Sequence, residues 1–326
     1  MAYFGLPNGA SAFPATQQIR YQKKFRERFR DQSLFPLVTN REWQGQFTGF
    51  GTEIDIPTLP VLHSQKTTPG AKINYQRPKA GMEKFTIGRE RMIALTLEDE
   101  DKLFAGFNIE GPVLDEAAKV MGEETEYEFW QDVLTKCAAV NTGNTAGYKS
   151  GKYKLGSATL PVSLFKTDAA AASGTAITSN ATKMSAVDYL LQGPATIKEQ
   201  PGGKQKPVRM VIPTIIGYLL QTSELKQADL TGDAVSGLRK DLQVVGKLGG
   251  ADVIVSDMLP IYTSNGANCY PIITIDQSAI TFAEEIKLKD KLQSVEEWGD
   301  FHRSKMIYDW FVRYPEFFSV GYVQIG

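Results

Sequence analysis

Residues 52–97 restrict the fold most, because two predicted β-strands there are joined by a long basic connection. The connection, residues 63–82, holds four basic residues, two prolines and two glycines, and it has no acidic residue. A segment of this composition has too little apolar surface to fold against its own chain. We therefore expect it to project from the body and to lie on another molecule, which is typical of an assembly protein.

The two strands are predicted from the alternation of apolar and polar residues at 53–56 and at 84–97. Gly88 interrupts the second strand and predicts a bulge there. Four consecutive acidic residues follow at 98–101. Calcium and magnesium loops space their ligands around a glycine, so the run favours a helix start, with a metal site as the weaker alternative.

A long helix is predicted over residues 113–140, where apolar residues recur at helical spacing. Twenty-eight helical residues would span about 42 Å, which is long for a helix of a small domain. The helix is expected to present an acidic outer surface, formed by Glu123, Glu124, Glu126, Glu128 and Asp132. Cys137 would lie inside this helix. It and Cys269, the only cysteines, are expected to be small buried residues without a disulfide.

The N-terminal segment combines a loose start, residues 1–15, with a predicted basic helix over residues 16–31. Tyr21, Phe25 and Phe29 are four residues apart and form one aromatic stripe on that helix. The favoured interpretation is that the stripe packs on the core or on a neighbouring subunit. Contacts to nucleic acid, a membrane surface or a scaffold protein are the alternatives.

The rest of the chain mixes helices and strands without strict βαβ alternation, which predicts the α+β class. After a polar stretch at 141–183 with a short strand within 158–165, a second region begins near residue 185. Its predicted helices are 185–193, 214–222 and 232–240, and its predicted strands are 207–212, 251–256 and 270–275. The aromatic segment 306–325 is expected to form two strands that are bent at Pro315.

Composition and motifs argue against catalysis and against a membrane protein. The 36 basic and 37 acidic residues nearly cancel, which does not suit a general nucleic-acid coat. No apolar run approaches the roughly 18 residues of a membrane span, and the N-terminus does not resemble a secretory signal. With only two histidines, and without an HExxH, CxxC or nucleotide-binding glycine motif, no enzyme activity, cofactor or metal is predicted.

Three stretches carry a resemblance to a known family. They are residues 54–57 with 93–101, residues 249–260 (GGADVIVSDMLP), and residues 278–284 with 298–300 and 313–316. In their order and local composition they resemble the major capsid proteins of tailed bacteriophages. Those proteins have the Hong Kong 97-type fold, which encapsulin compartments share.

The resemblance implies a division of the chain. Residues 1–51 would be an N-terminal arm and 52–97 the extended loop, a β-hairpin. Residues 98–184 and 282–315 would be the peripheral domain, with 113–140 as its spine helix. Residues 185–281 and 316–326 would be the axial domain, which packs around five-fold and six-fold axes.

The resemblance also implies a function. The chain would self-assemble as pentamers and hexamers into the icosahedral shell of a virion, built in the host cytoplasm around double-stranded DNA that it does not read. A separate scaffolding protein, a portal and a cement protein are expected partners, and no membrane is involved. Because the sequence starts at Met1 without a long helical extension, N-terminal trimming and self-scaffolding are not expected. An encapsulin-like compartment and, more distantly, a soluble enzyme stay open as alternatives.

The contacts between subunits are expected to join opposite charges. The basic loop of one subunit would lie across the acidic spine of its neighbour, residues 123–132. The loop residues in this prediction are Lys66, Lys72, Arg77, Lys79, Arg89 and Arg91. Apolar contacts of the loop and of the aromatic stripe in the N-terminal arm would supply most of the affinity. The tip lysines could also cross-link to asparagine, as in some relatives.

Overall fold

The structure is a computed structural model of the chain. It describes residues 34–43, 51, 53–58, 62, 64, 66, 75–79, 81–98, 110–164, 183–222, 244–264, 266–293 and 299–325. The predicted helices at 16–31 and 232–240 lie outside these residues. So do Tyr21, Phe25, Phe29 and Lys72.

The described residues form a mixed α and β structure. The helices are α1 (Phe35–Val38), α2 (Glu110–Val133), α3 (Ala186–Glu199) and α4 (Thr214–Thr222). The strands are β1 (Glu53–Thr58), β2 (Gly81–Thr86), β3 (Arg89–Glu98), β4 (Val162–Leu164), β5 (Lys183–Met184), β6 (Val208–Pro213), β7 (Val244–Leu248), β8 (Ala251–Ser256), β9 (Tyr262–Ser264), β10 (Ala267–Asp276), β11 (Ile280–Gln293), β12 (Gly299–Val312) and β13 (Phe318–Ile325).

The largest sheet has the strand order β5-β4-β13-β10-β6-β8-β7, and β9 pairs with β10. Both faces of this sheet are covered, as the alternating side chains of β10 show. Ile273 and Ile275 join the core beneath α2, whereas Ile272 joins the core beneath α3 and α4. Ser185 caps α3 by accepting a hydrogen bond from the backbone N–H of Asp188 at 3.2 Å.

A second, three-stranded sheet has the order β11-β12-β3, and all its pairs are antiparallel. One face of it packs against α1 and α2. Phe35 stacks on Phe282 of β11, with ring centres 4.2 Å apart, and meets the edge of Phe129 of α2 at 5.2 Å. This aromatic cluster joins the start of the described chain to the long helix.

The predicted hairpin of residues 52–97 is two separate pairings, and the expectation of one continuous second strand is wrong. Strand β2 pairs with β1 across six residue pairs, from Glu53 with Thr86 to Thr58 with Gly81. After Ile87 and Gly88, β3 leaves the hairpin and pairs with β12. At this break the N–H of Gly88 donates to the carboxylate of Asp309 in β12 at 2.9 Å, so the chain is bound to the second sheet from this residue onward.

The hairpin base is packed on its own chain. Ile54, Ile56 and Phe85 join Ala283 and Ile307 in a third apolar cluster. The Arg313 guanidinium also donates to the carbonyl of Pro57 at 3.0 Å. The base of the hairpin is therefore fixed to the face of the three-stranded sheet that lies opposite α2.

Helix α2 ends earlier than predicted, at Val133, so Cys137 lies after the helix. After Val133 the chain forms hydrogen bonds to the segment around the start of β13 instead of bonds within the helix. Ala138 N–H donates to the carbonyl of Pro315 at 3.3 Å. The Asn141 amide donates to the carbonyls of Glu316 at 2.6 Å and Phe318 at 3.1 Å.

Both cysteines are free thiols, as predicted, and neither is exposed. Burial raises the pKa of Cys137 to about 12. It also raises the pKa of Cys269 to about 11. At neutral pH both thiols are therefore protonated and behave as small packing groups.

Candidate assembly interface

All the described residues of the connection between β1 and β2 are exposed. Lys66, Arg77 and Lys79 are all exposed, and Tyr75 is 88% exposed. Within the described ranges, none of the three basic residues forms an ion pair. We call these described residues, 62, 64, 66 and 75–79, the loop tip. The loop tip exposes positive charge and an aromatic ring to solvent, whereas the base of the hairpin is packed.

Arg89 does not belong to the loop tip, because it lies at the start of β3 against α2. Its guanidinium contacts Glu128 at 2.5 Å, Asp132 at 3.3 Å and Asp309 of β12 at 3.4 Å. The guanidinium also lies 3.8 Å from the ring centre of Trp310. The side chain thus joins β3, α2 and β12 within one chain.

Arg91, two residues further on the same face of β3, repeats this arrangement. It pairs with Glu124, and it contacts the second oxygen of Glu128 at 3.1 Å. The Tyr308 hydroxyl donates to that same Glu128 oxygen at 2.6 Å. The two arginines therefore lie along one side of the acidic helix, one helical turn apart.

These contacts set the protonation of the helix acids. Burial raises the pKa of Glu128, but hydrogen bonds from Tyr308, Arg89 and Arg91 outweigh it, so the net pKa is lower than the ordinary value. Burial also opposes ionisation of Asp132, and bonds from Lys136 and Trp310 again leave its pKa lowered. Both carboxylates are charged and satisfied at neutral pH.

Two of the six basic residues that were predicted to contact a neighbouring subunit therefore contact their own chain instead. The structure pairs Arg89 and Arg91 with Glu124, Glu128 and Asp132 of their own chain. The contact predicted for Lys66, Arg77 and Lys79 remains a prediction. Of these three acids, Glu124 has the most exposed side chain, at 56%, so it can also face a neighbouring subunit.

The prediction that Glu126 lies on the outer acidic surface is wrong, because its side chain is in the core and the residue is 3% exposed. It accepts hydrogen bonds from Trp130 Nε1 at 3.1 Å and Ser256 Oγ at 3.2 Å on one oxygen. The other oxygen accepts from Leu34 N–H at 3.2 Å. Burial raises the pKa of Glu126, although these bonds partly oppose the rise.

The outer face of α2 is a mixed stripe. It consists of Glu116, Val120, Glu124, Tyr127 and Gln131, which are three or four residues apart and all exposed. Tyr127 is 44% exposed and Val120 is 38% exposed. We call Glu116, Val120, Glu124, Tyr127 and Gln131 the α2 stripe. Glu123 lies at its margin, and its carboxylate is 3.9 Å from the Lys119 amine.

Other kinds of site find little support in the described ranges. None of the described helices is both long and apolar enough to cross a bilayer. No group of three metal-ligating side chains occurs among the same residues.

Sequence comparison found no match, either among the family models or among the curated proteins. Comparison with solved structures found several matches. A structure from Mycobacterium phage Che8 matches 89% of this chain and 90% of its own chain, at 16% identity and a TM-score of 0.60. The capsid structure of cyanophage P-SCSP1u matches 89% of this chain and 87% of its own, at 12% identity and a TM-score of 0.55.

The mature capsid of bacteriophage PhiM1 gives a third match, over 84% of this chain and 82% of its own, at 14% identity and a TM-score of 0.54. At such identities a structural likeness establishes the fold alone. The sequence-based expectation for the fold is confirmed at that level. The chain has the mixed α and β, Hong Kong 97-like fold of tailed-phage capsid proteins.

Proposed function

We propose that this chain is the major capsid protein of a tailed bacteriophage. It self-assembles into the icosahedral shell that encloses the double-stranded DNA genome. The observation that carries the proposal is the likeness of 84–89% of the chain to structures from three phages, two of them described as capsids. The exposure of every described residue of the loop tip supports it independently.

The proposed parts of the subunit follow the described elements. The hairpin β1–β2 with the loop tip is the extended loop. Helix α2 is the spine, and with the β11-β12-β3 sheet it forms the peripheral domain. The large sheet with α3 and α4 forms most of the axial domain. The N-terminal arm in this division is residues 1–51, of which the structure describes 34–43 and 51.

Assembly joins the loop tip of one subunit to the α2 stripe of its neighbour. Lys66, Arg77 and Lys79 face Glu116 and Glu124 across that contact. Exposed ion pairs contribute about 0–1 kcal/mol each, so the charges set register and orientation.

The affinity of this contact comes from apolar burial. Tyr75 on the loop tip and Val120 and Tyr127 on the stripe lose exposed surface when the two segments meet. Burial contributes roughly 25 cal/mol per Å² of apolar surface removed from water. Each subunit is held by several neighbours at once, so contacts that are individually weak suffice for a closed shell.

The partners that we propose are other copies of the chain, as pentamers and hexamers, together with a scaffolding protein, a portal and a cement protein. The shell forms in the host cytoplasm and becomes the outer layer of the virion. The DNA is enclosed without recognition of its sequence.

Electron microscopy of the purified chain tests this function. We expect closed shells of uniform size, formed by the chain alone or with its scaffolding protein, and filled shells should contain double-stranded DNA. Shells that enclose a protein cargo in place of DNA would favour an encapsulin-like compartment. A small stable oligomer with its loop tip buried on its own body would refute the proposal.

A further inference from the structure

The charge of the chain reverses where α2 ends. Residues 133–164 contain four lysines and no acidic residue, whereas residues 115–132 contain seven acids and one lysine. None of the assembly contacts proposed above uses this basic segment. The contacts of this segment within the fold indicate which class of molecule it can bind.

The segment forms a tight turn between residues 143 and 156. Backbone bonds join Gly143 to Gly156 and Ala146 to Tyr153. Gly147 has a φ of 112°, and a Cβ atom there would lie 2.6 Å from Ser150 Oγ and 2.7 Å from Glu199 Oε2. Only glycine fits this position, so the turn has a fixed shape against α3.

The turn packs on the C-terminal half of α3, so its lysines join those at the end of that helix in one region of the fold. Ser150 Oγ donates to Glu199 at 3.1 Å, and Lys154 N–H donates to the Gln192 side chain at 2.7 Å. Lys198 precedes Glu199, and Lys204 follows the end of α3. We define the basic turn surface by its five lysines, which are Lys149, Lys152, Lys154, Lys198 and Lys204.

Four lysines of this surface, Lys149, Lys152, Lys154 and Lys204, are exposed. Lys198 is half-buried, and its amine donates to the carbonyl of Gly249 at 2.8 Å. Glu199 is the one acid that the described contacts bring among them, and it accepts from Ser150. The surface therefore carries a net positive charge.

The chemistry of the surface favours a polyanion over a protein partner. Protein interfaces have an apolar centre and are depleted of lysine. Here Tyr148, 54% exposed, is the large apolar side chain within the turn, and the exposed residues around it are glycine, asparagine, threonine and lysine. Flexible ammonium groups without a fixed geometry suit phosphate contacts that do not depend on base sequence.

We propose that the basic turn surface contacts the phosphate backbone of the enclosed double-stranded DNA and therefore faces the inside of the shell. The proposal rests on the proposed capsid function. The contacts are independent of sequence, and salt weakens them because each one releases counterions from the DNA.

Fluorescence anisotropy of a short mixed-sequence double-stranded DNA with the full-length subunit tests the contact. The test variant is Lys149→Gln/Lys152→Gln/Lys204→Gln. The matched control is Lys84→Gln/Lys119→Gln/Lys247→Gln, which removes the same charge from lysines that each face an acid, at 3.2, 3.9 and 3.7 Å. We expect the slope of log K against log salt to fall by about 2–3 in the test variant and to change little in the control. Equal slopes in the two variants would overturn the proposal.

Acylation of lysines in assembled shells, read by mass spectrometry, tests the location. Lys149, Lys152 and Lys204 should react more slowly in DNA-filled shells than in empty ones, while Lys84 and Lys247 react equally in both. Equal reaction of all five would place the basic turn surface away from the DNA. Failure to form any shell would instead count against the capsid function, and the anisotropy result would still decide whether the surface binds phosphate.

Discussion

The Arg89 guanidinium and the Trp310 indole are stacked, with 3.8 Å between the guanidinium carbon and the ring centre. Trp310 Nε1 donates to the Asp132 oxygen that also faces Arg89 at 3.3 Å. The two side chains therefore hold each other in place and share a carboxylate. This relationship fixes the start of β3 to both α2 and β12.

Replacement of Arg89 by alanine should destabilise the isolated subunit by about 1–3 kcal/mol, through loss of the ring contact and of its carboxylate partners. The side chain is 30% exposed, so its ion pairs alone contribute little. Urea unfolding measures the loss. Lys84→Ala is the control, because the Lys84–Glu53 pair is largely exposed, and it should lower the stability far less than Arg89→Ala does. Equal losses in the two variants would show that the Arg89 stack is not stabilising.

Two neighbouring glutamates should change the pH dependence of stability in opposite directions. The pKa of Glu128 is lowered from an ordinary value of 4.5, so it stabilises the fold above that pH, and this contribution is lost as the pH falls through the lowered pKa. The pKa of Glu126 is raised from 4.5, so its contribution is present below that pH and is lost as the pH rises through the raised pKa.

Unfolding curves of Glu128→Gln and Glu126→Gln between acid and neutral pH measure this difference. The deficit of Glu128→Gln relative to the native chain should be greatest at neutral pH and should shrink in acid. The deficit of Glu126→Gln should instead grow as the pH falls towards 4.5. Parallel curves for the two variants would contradict the burial of Glu126.

The close approach of Tyr189 to β13 should make Gly321 intolerant of substitution. A Cβ atom at Gly321 would lie 2.1 Å from the Tyr189 hydroxyl, which itself donates to the Leu155 carbonyl at 2.6 Å. Gly321→Ala should cost about 1–3 kcal/mol through overpacking. Adding Tyr189→Phe, which deletes the crowded oxygen, should restore part of this loss.

Thermal unfolding of the two single variants and the double variant measures the coupling. Gly88→Ala is the control, since a Cβ there meets its nearest atom at an ordinary 3.6 Å. Strictly additive losses at residues 189 and 321 would argue against the contact.

Charge reversal of the loop tip should stop assembly without unfolding the subunit. In Arg77→Glu/Lys79→Glu both altered side chains are exposed, so circular dichroism should match that of the native chain while electron microscopy shows no shells. Combining this variant with Glu116→Lys on the α2 stripe should restore some shells, because the attraction is then reversed at both ends. Normal shells from the loop-tip variant alone would refute the steering role.

Elements with a strong local pattern could be predicted from the sequence. Helix α4 and strand β8 occupy the predicted residues 214–222 and 251–256, because each is an apolar run whose neighbours along the chain determine its conformation. The end of α2 could not be predicted, since Asn141 bonds to Phe318, 177 residues away. The split of the loop strand at Gly88 likewise depends on the distant Asp309.

The candidate interface was predicted less well than the fold. Charge alone grouped Arg89 and Arg91 with the loop tip, and only the pairing of β3 with β12 places them against α2 of the same chain. The sequence did contain a signal for the burial of Glu126. It precedes Phe129, Trp130 and Val133 by three, four and seven residues, which is the spacing of one helix face.

Gly88 and Ile87 form the whole covalent link between the hairpin and the three-stranded sheet on the β2 side. The six residues of β1 extend about 20 Å from this end of the hairpin. Ile54, Ile56 and Pro57 are also held against that sheet, so a rotation of the sheet by a few degrees carries the far end of the hairpin with it by more than an ångström. The curvature of a closed particle built from such subunits would therefore depend on the tilt of the three-stranded sheet.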